Sequence, residues 1–464
     1  MSKKGLAKYS VISRTWQDFF ETELYRRLRI HLEDLPAFAT ISRQRNLIRQ
    51  IWLKIGISGY TCTRCTKSTK PPVPARADEG RIRLGRDSEG LALEICIYSP
   101  GDTQHYFQKN VYIDSEMQHQ SARGPAHDLR HGWSHGRQTI IPSLEDVCRL
   151  QRPLRPNFRR KLPVVEVVTS LIFRRQTRCR IWPRSMQAML MSLPRLEHLI
   201  YEPWRSISLP YMDDLDTFML LAHALPPSLK RLTMFEDFNE DYIRFFGRAW
   251  LLTHYSDDED EPEEKFGGFC CPEHVRTPSN IMSMALAHRS IGLERVCGSF
   301  SVEAKVFFRQ CQPDFTWERL KVLSLTSRLL AHVDADPDIC WEIIKMLQSA
   351  ASAALRMPNL ERLEIWCARR WHGVAFRYQV LESLASIGWQ GIWELDMSEI
   401  VDDWGEVAQL HTGRDLHVEE FRKIDRIDVP SHAGGMSIMG ISEDAIHPAS
   451  RREIDEESNH YYYF

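Results

Sequence analysis

The sequence predicts an α/β fold: an irregular leucine-rich-repeat-like solenoid of parallel strands alternating with helices, preceded by a helical N-terminal segment. Three observations predict it. Five ungapped segments share an L-x-x-L-x-L form: LEHLIYE (196–202), LKRLTMF (229–235), LERVCGS (293–299), LKVLSLT (320–326) and LERLEIW (360–366). Helical patterns lie between them, namely DDLDTFMLLAHAL (213–225), SVEAKVFFRQ (301–310) and PDICWEIIKMLQSAASAAL (337–355). The first leucines are 33, 64, 27 and 40 residues apart, and the 64 is close to two units of 32, so a degenerate repeat is expected there. The period exceeds the usual repeat of about 20–29, so the helices should be full ones. A generic parallel α/β domain with leucine-rich buried strands is the alternative.

Each element follows from its pattern. In residues 5–30, Leu6, Tyr9, Ile12, Trp16, Phe19, Phe20, Leu24 and Leu28 recur every three or four positions, which predicts one helix with a broad apolar face. A second amphipathic run spans Ile41 to Ile55, so residues 1–60 read as helical. Residues 61–160 read as a loop-rich connecting region with a strand near 91–98, because 66–90 is rich in proline, glycine and charge while GLALEICIYS (90–99) is apolar. Residues 161–464 read as the strand–helix repeat domain, with LPVVEVVTSLIF (162–173) preceding the five segments and IWELDMS (392–398) extending them. An acidic loop, 255–278, interrupts it. Its SDDEDEPEE stretch carries seven acids in nine residues, which repel one another and favour solvation.

The bulk composition excludes little. Sixty basic against 62 acidic residues leave a net charge of −2, so no polyanion or membrane surface is implied. The 11 cysteines are mostly isolated and odd in number, which favours reduced thiols in a cytoplasmic or nuclear protein. MSKKGLAKYSVISR lacks the apolar core of a secretory signal, and the longest apolar stretch is too short to span a bilayer.

ISRTWQDFFETELYRRLRI (12–30) resembles the second half of an F-box, with its Ser-Arg-x-Trp helix and apolar stripe. SPGDTQHYF (99–107), HDLRHGW (127–133), YEPWR (201–205), SLKRLTMFEDFNE (228–240) and MPNLERLEIW (357–366) resemble uncharacterised fungal F-box-like proteins with a C-terminal leucine-rich-repeat-like domain. The resemblance implies a substrate adaptor of a cullin-type ubiquitin ligase, whose F-box remnant, Trp16 included, would dock the Skp adaptor. The Leu-Pro-x-Glu turn that usually opens an F-box has no counterpart after Met1, so the segment is a partial one.

Side chains alternate across a strand, so the fourth and sixth positions of each repeat should point into the core and the third, fifth and seventh onto a concave binding face. That face would carry Arg231, Phe235, Arg295, Arg362, Glu364 and Trp366. The third position is arginine in three of the five repeats, and its planar fork suits carboxylates or phosphates, so an acidic or phosphorylated protein segment is the expected target. The same arginines could instead pair with Glu202 and Glu364.

Signals for chemistry are weaker. HDLRHGWSHG (127–136) places His127, His131 and His135 four apart, with Asp128 beside the first, so a zinc-dependent hydrolase is the alternative function. Pro125, Gly132 and Gly136 argue against the helix that such a motif needs. Cys62 and Cys65 have zinc-knuckle spacing but lack a second pair, and His105 or one of the 127–135 histidines could complete a site only through tertiary contact. No phosphate-binding or nucleophile-elbow motif occurs, so no catalytic residues and no cofactor are expected. Eleven basic residues between Arg149 and Arg184 raise a nucleic-acid binder as a third function, although a solvated face or a partner for the acidic loop is the simpler expectation.

Overall fold

The computed structural model describes residues 9, 11–41, 44–59, 62, 90–102, 105, 128–134, 137–140, 153–156, 158, 160–178, 180–205, 224–238, 278–332, 336–382 and 384–459. In chain order they form α1 (Arg14–Tyr25), β1 (Arg27–His31), α2 (Leu35–Thr40), β2 (Gln50–Gly56), β3 (Leu91–Tyr98), β4 (Trp133–Ser134), β5 (Arg137–Gln138), β6 (Val168–Phe173), α3 (Pro183–Met191), β7 (His198–Tyr201) and β8 (Arg231–Phe235). Then come α4 (Asn280–Ser290), β9 (Arg295–Ser299), α5 (Ala304–Gln310), β10 (Val322–Thr326), α6 (Pro337–Ala354), β11 (Arg362–Arg369), β12 (His372–Leu381), β13 (Leu384–Gly391), α7 (Val401–Thr412), β14 (His417–Val418), β15 (Arg422–Lys423), α8 (His432–Ile438) and α9 (Pro448–Asn459).

Thirteen strands form one open, mostly parallel sheet in the order β1-β2-β3-β6-β7-β8-β9-β10-β11-β12-β13-β14, with β15 also on β13. From β1 to β11 every neighbouring pair is parallel, and β11-β12-β13 is an antiparallel meander. Segments 229–235, 320–326 and 360–366 therefore share one parallel sheet, as their leucines predict.

The repeat spacing matters because it builds a column. Leu171, Leu199, Leu232, Val296, Leu323 and Leu363 are register partners across six strands, and none is more than 4% exposed. Each such burial contributes about 1.5–3 kcal/mol. This face packs on the helices in one continuous core with Met186, Leu286, Phe307, Ile343 and Leu347. Local sequence starts the helices: the Ser279 hydroxyl accepts from Met282 N ahead of α4, and Asp336 accepts from Asp338 N ahead of Pro337 and α6. Glycine replaces an apolar residue at 298 because a Cβ there would lie 3.0 Å from Val302 Cγ2 and 3.2 Å from Leu286 Cδ2.

Several expectations are corrected. The helix expected over 5–30 ends at Tyr25, and Arg27–His31 is the first strand. The run from Ile41 to Ile55 contains strand Gln50–Gly56 where a helix was expected. There Leu28 and Ile30, and Ile51, Leu53 and Ile55, follow a period of two, while Leu24 with Leu28 and Ile51 with Ile55 also fit a helical spacing, and pairing in the sheet decides between them. The sheet thus extends through the regions 1–60 and 61–160 instead of beginning at 161. The 64-residue interval adds no strand between its ends, because β8 pairs directly with β9. Residues 392–398 are not a strand, and the sheet is extended by β12 and β13 just before them. The helical pattern at 213–223 and most of the acidic loop 255–278 lie outside the described residues. No helix among the described residues is long and apolar enough to cross a membrane.

Candidate functional site: the second face of the sheet

The alternation places the third, fifth and seventh repeat residues opposite the leucine column, as expected. That face is not an open wall. The C-terminal segment, from Ile424 through α8 to α9, lies across it, and Ile424, Val429, Ala433, Met436, Met439, Ile441, Ala445 and Ile446 form a second apolar core with Phe235, Phe300 and Trp366.

Each expected contact residue has a place in this arrangement. Phe235, Glu364 and Trp366 are fully buried. Trp366 Nε1 donates to Ser324 Oγ at 3.1 Å, and its ring meets Phe300 edge-on at 5.2 Å. Phe235 stacks on the His432 ring at 5.8 Å. Arg295 Nη1 reaches Asp444 Oδ2 at 2.5 Å, and Arg362 binds the Gly440 carbonyl and Glu364. Glu364 also accepts from Arg377 Nε, Ser324 Oγ and the Ser442 amide at 3.0–3.2 Å. Thr233 Oγ1 donates to the Asp444 carbonyl at 2.8 Å. Arg231 is exposed at the rim. The expected chemistry is present, arginine against carboxylate and carbonyl, but the acidic segment belongs to the same chain. The expectation of an exposed face is corrected accordingly.

Below this face lies a charged cluster that the sequence motifs did not isolate. The chain leaving β6 carries Arg174 and Arg175, each 2% exposed. Arg174 binds Glu94 of β3 at 2.6 Å and Glu453 of α9 at 3.2 Å. Arg175 binds Asp237 and grips both Glu457 oxygens at 2.8–2.9 Å, with its guanidinium 5.2 Å from the centroid of the Trp204 ring. Glu202 accepts the Arg175 amide at 3.1 Å, the His447 amide at 2.6 Å and the Ser450 hydroxyl at 2.5 Å. Arg175 beside Asp237 holds that carboxyl well below its usual range despite burial, which acts the other way. The cluster fastens α9 to the sheet. Its members are paired with each other, beside a pocket bordered by Tyr201, Met234, Phe235 and Met282.

The basic stretch 149–184 takes a corresponding position. Arg174, Arg175 and Arg178 are buried, and Arg180 pairs with Glu236. Partners of this group include Glu94, Asp237, Glu236, Glu453 and Glu457, while Arg155, Arg160, Lys161 and Arg184 of the same stretch are exposed, as a solvated face would have them. Arg149, Arg152 and Arg159 lie outside the described residues.

Burial also pushes Glu202 up to about 7, and His372 and His447 down to about 3. Geometry agrees for His447, whose Nδ1 accepts the Ala449 amide at 3.2 Å, whereas at His372 burial outweighs the Leu330 carbonyl 2.7 Å away, which acts the other way. A depressed histidine contributes stability that is present above its unfolded value of 6.5 and lost as pH falls toward 3. Glu202, raised from 4.5, works the opposite way, losing its contribution as pH rises toward 7. From these three groups, stability falls by about 1 kcal/mol per pH unit from 6.5 to 4.5, then by about 3 kcal/mol per unit below, where Glu202 no longer offsets the histidines. Denaturation midpoints measured across this range should steepen below pH 4.5, and His372→Gln should flatten the curve. A profile that His372→Gln leaves unchanged contradicts this assignment.

The HDLRH motif is not a helix: Leu129–His131 is a single 3-10 turn capped by Asp128, and His127 and His135 lie outside the described residues. His131 instead faces Cys62 and His105, and the ligand atoms of all three lie within 4.8 Å of one another. Trp16 is 45% exposed on α1, beside Val11, Ile12 and Phe19, which are 60–84% exposed.

Residues 224–447 match the model of a family of unknown function (DUF6546). The match covers just under half of the chain, from before β8 to the residue before α9, and so includes most of the segment that covers the sheet. A search of curated proteins found no match.

Proposed function

We propose that the chain is a non-enzymatic protein-recognition module, an irregular leucine-rich-repeat-like solenoid with a partial F-box at its N-terminal end, acting as a substrate adaptor of a cullin-type ubiquitin ligase. The observation that carries the reading is α1, whose flank leaves Val11, Ile12, Trp16 and Phe19 exposed at the first edge of the sheet. Apolar side chains grouped in this way mark an interaction site more often than an idle surface. The strand order, which follows the chain from β1 to β11, supports the solenoid part. The target-binding part rests on the arginines that hold Asp444 and Gly440, since an acidic target segment would use the same groups in place of the chain's own.

The test is calorimetric titration of the purified chain with the Skp adaptor. Micromolar or tighter binding is expected, weakened at least about tenfold by the double change Trp16→Ala and Phe19→Ala. Both side chains are exposed, so the fold should tolerate their loss. No heat of binding, or binding that the double variant leaves unchanged, removes the ligase assignment.

A further inference from the structure

We propose that Cys62, His105 and His131 form a zinc site that fastens the Asp128–Gly132 turn to the chain leaving the C-terminal ends of β2 and β3. The proposal is independent of the adaptor reading.

Topology brings the first two residues together. β2 and β3 are parallel neighbours with Gly56 opposite Tyr98, and the Ile57 amide continues the pairing to the Tyr98 carbonyl at 2.9 Å. Cys62 lies six residues beyond Gly56 and His105 seven beyond Tyr98, so the two chains leave the sheet side by side. The Ser99 hydroxyl donates to the Ser58 carbonyl at 3.1 Å, which keeps them together past the sheet end.

His131 arrives from the turn that Asp128 caps. Gly132 takes φ of +79° after it, and a Cβ there would come within 2.8 Å of Ile140 Cβ, so the reversal needs glycine. The buried Trp133 then donates from Nε1 to the His105 carbonyl at 2.5 Å, fixing one histidine's backbone from the other's turn. The two imidazole centroids are 4.5 Å apart at 73°.

The chemistry suits zinc. One thiolate and two imidazoles form a mixed soft and borderline donor set, and zinc accepts such sets in a tetrahedron without redox chemistry. Asp128 Oδ2 lies 2.5 Å from His131 Nδ1, so a metal held by His131 would take Nε2. A carboxylate behind a ligating histidine is the usual means of fixing its tautomer and raising its basicity. Cys62 and His105 are 4–5% exposed, and the Asp128 and His131 side chains 14–18%. Cys62 and Trp133 are both buried, so the metal would sit away from bulk solvent. Cys65 completes a C-x-x-C pair in the sequence but lies outside the described residues.

The test is metal analysis of the full chain, purified without chelators or metal-affinity resin and then exchanged against zinc. About one zinc per chain is expected, falling below about 0.2 in Cys62→Ser and His131→Ala. Cobalt exchanged into the wild type should show tetrahedral d–d bands and a thiolate-to-cobalt charge-transfer band, the latter absent from Cys62→Ser. Asp128→Asn, which keeps all three ligands, should weaken zinc binding about 10–100-fold in competition with a chromophoric chelator. That variant and the wild-type cobalt spectrum decide the matter even if Cys62→Ser fails to fold. Substoichiometric zinc after exchange, a cobalt spectrum without thiolate charge transfer, or unchanged affinity in Asp128→Asn would each overturn the proposal.

Discussion

Arg175→Met should destabilise the fold by about 3–5 kcal/mol, because it removes the guanidinium paired with the buried Asp237 carboxylate and leaves that charge to the Phe238 amide and the neighbouring His432 ring. Asp237 is fully buried against Arg175, and both Glu457 oxygens depend on the same guanidinium. Methionine keeps most of the volume, so the loss reports charge and not packing. The effect should also be local first: α9 carries Glu453 and Glu457, and its release should precede global unfolding. Urea denaturation gives the free energy, and pulse proteolysis gives the order of release. Adding Glu457→Gln to the same chain should recover part of the loss, since it removes one of the stranded charges. A change under about 1 kcal/mol would mean that α9 is not held by this cluster.

Trp366→Ala has a comparable expected effect, about 3–5 kcal/mol. It separates two accounts of one residue. On an open binding face, truncating a tryptophan would cost affinity for a partner and little stability. Beneath the C-terminal segment it leaves a cavity next to Phe300 and takes from the Ser324 hydroxyl the indole donor, leaving its bond to Glu364. Thermal denaturation distinguishes them, with a fall in Tm of several degrees expected for the covered position. An unchanged Tm would return Trp366 to the surface.

The parallel strands were legible because their information is local. In Leu229-x-x-Leu232 and Leu320-x-x-Leu323 the fourth residue belongs to the shared column, and six such residues coincide in register. The arginine column was legible for the same reason. Its occupant was not: Arg295 meets Asp444 across 149 residues, and Arg174 meets Glu453 across 279. No periodicity spans such separations. A signal did exist in Glu94, an acid in an otherwise apolar strand at 2% exposure, which has to be paired from elsewhere. Strands β1 and β2 are ambiguous in sequence because Leu24 with Leu28, and Ile51 with Ile55, also fit a helical spacing until a neighbouring strand selects the other period. The Cys62, His105 and His131 cluster joins two weak motifs from separate segments, and only the pairing of β2 with β3 relates them.

The account rests on residues 424–457 lying closed over the sheet. Hydrogen exchange of the full chain, read by mass spectrometry, tests this most directly. Amides of Gly435, Met439 and Ile441, which bond within the covering segment, should exchange nearly as slowly as those of β9 and β10. Exchange of the covering segment at the rate of a free peptide, while the strands remain protected, would show the face to be open and contradict the account.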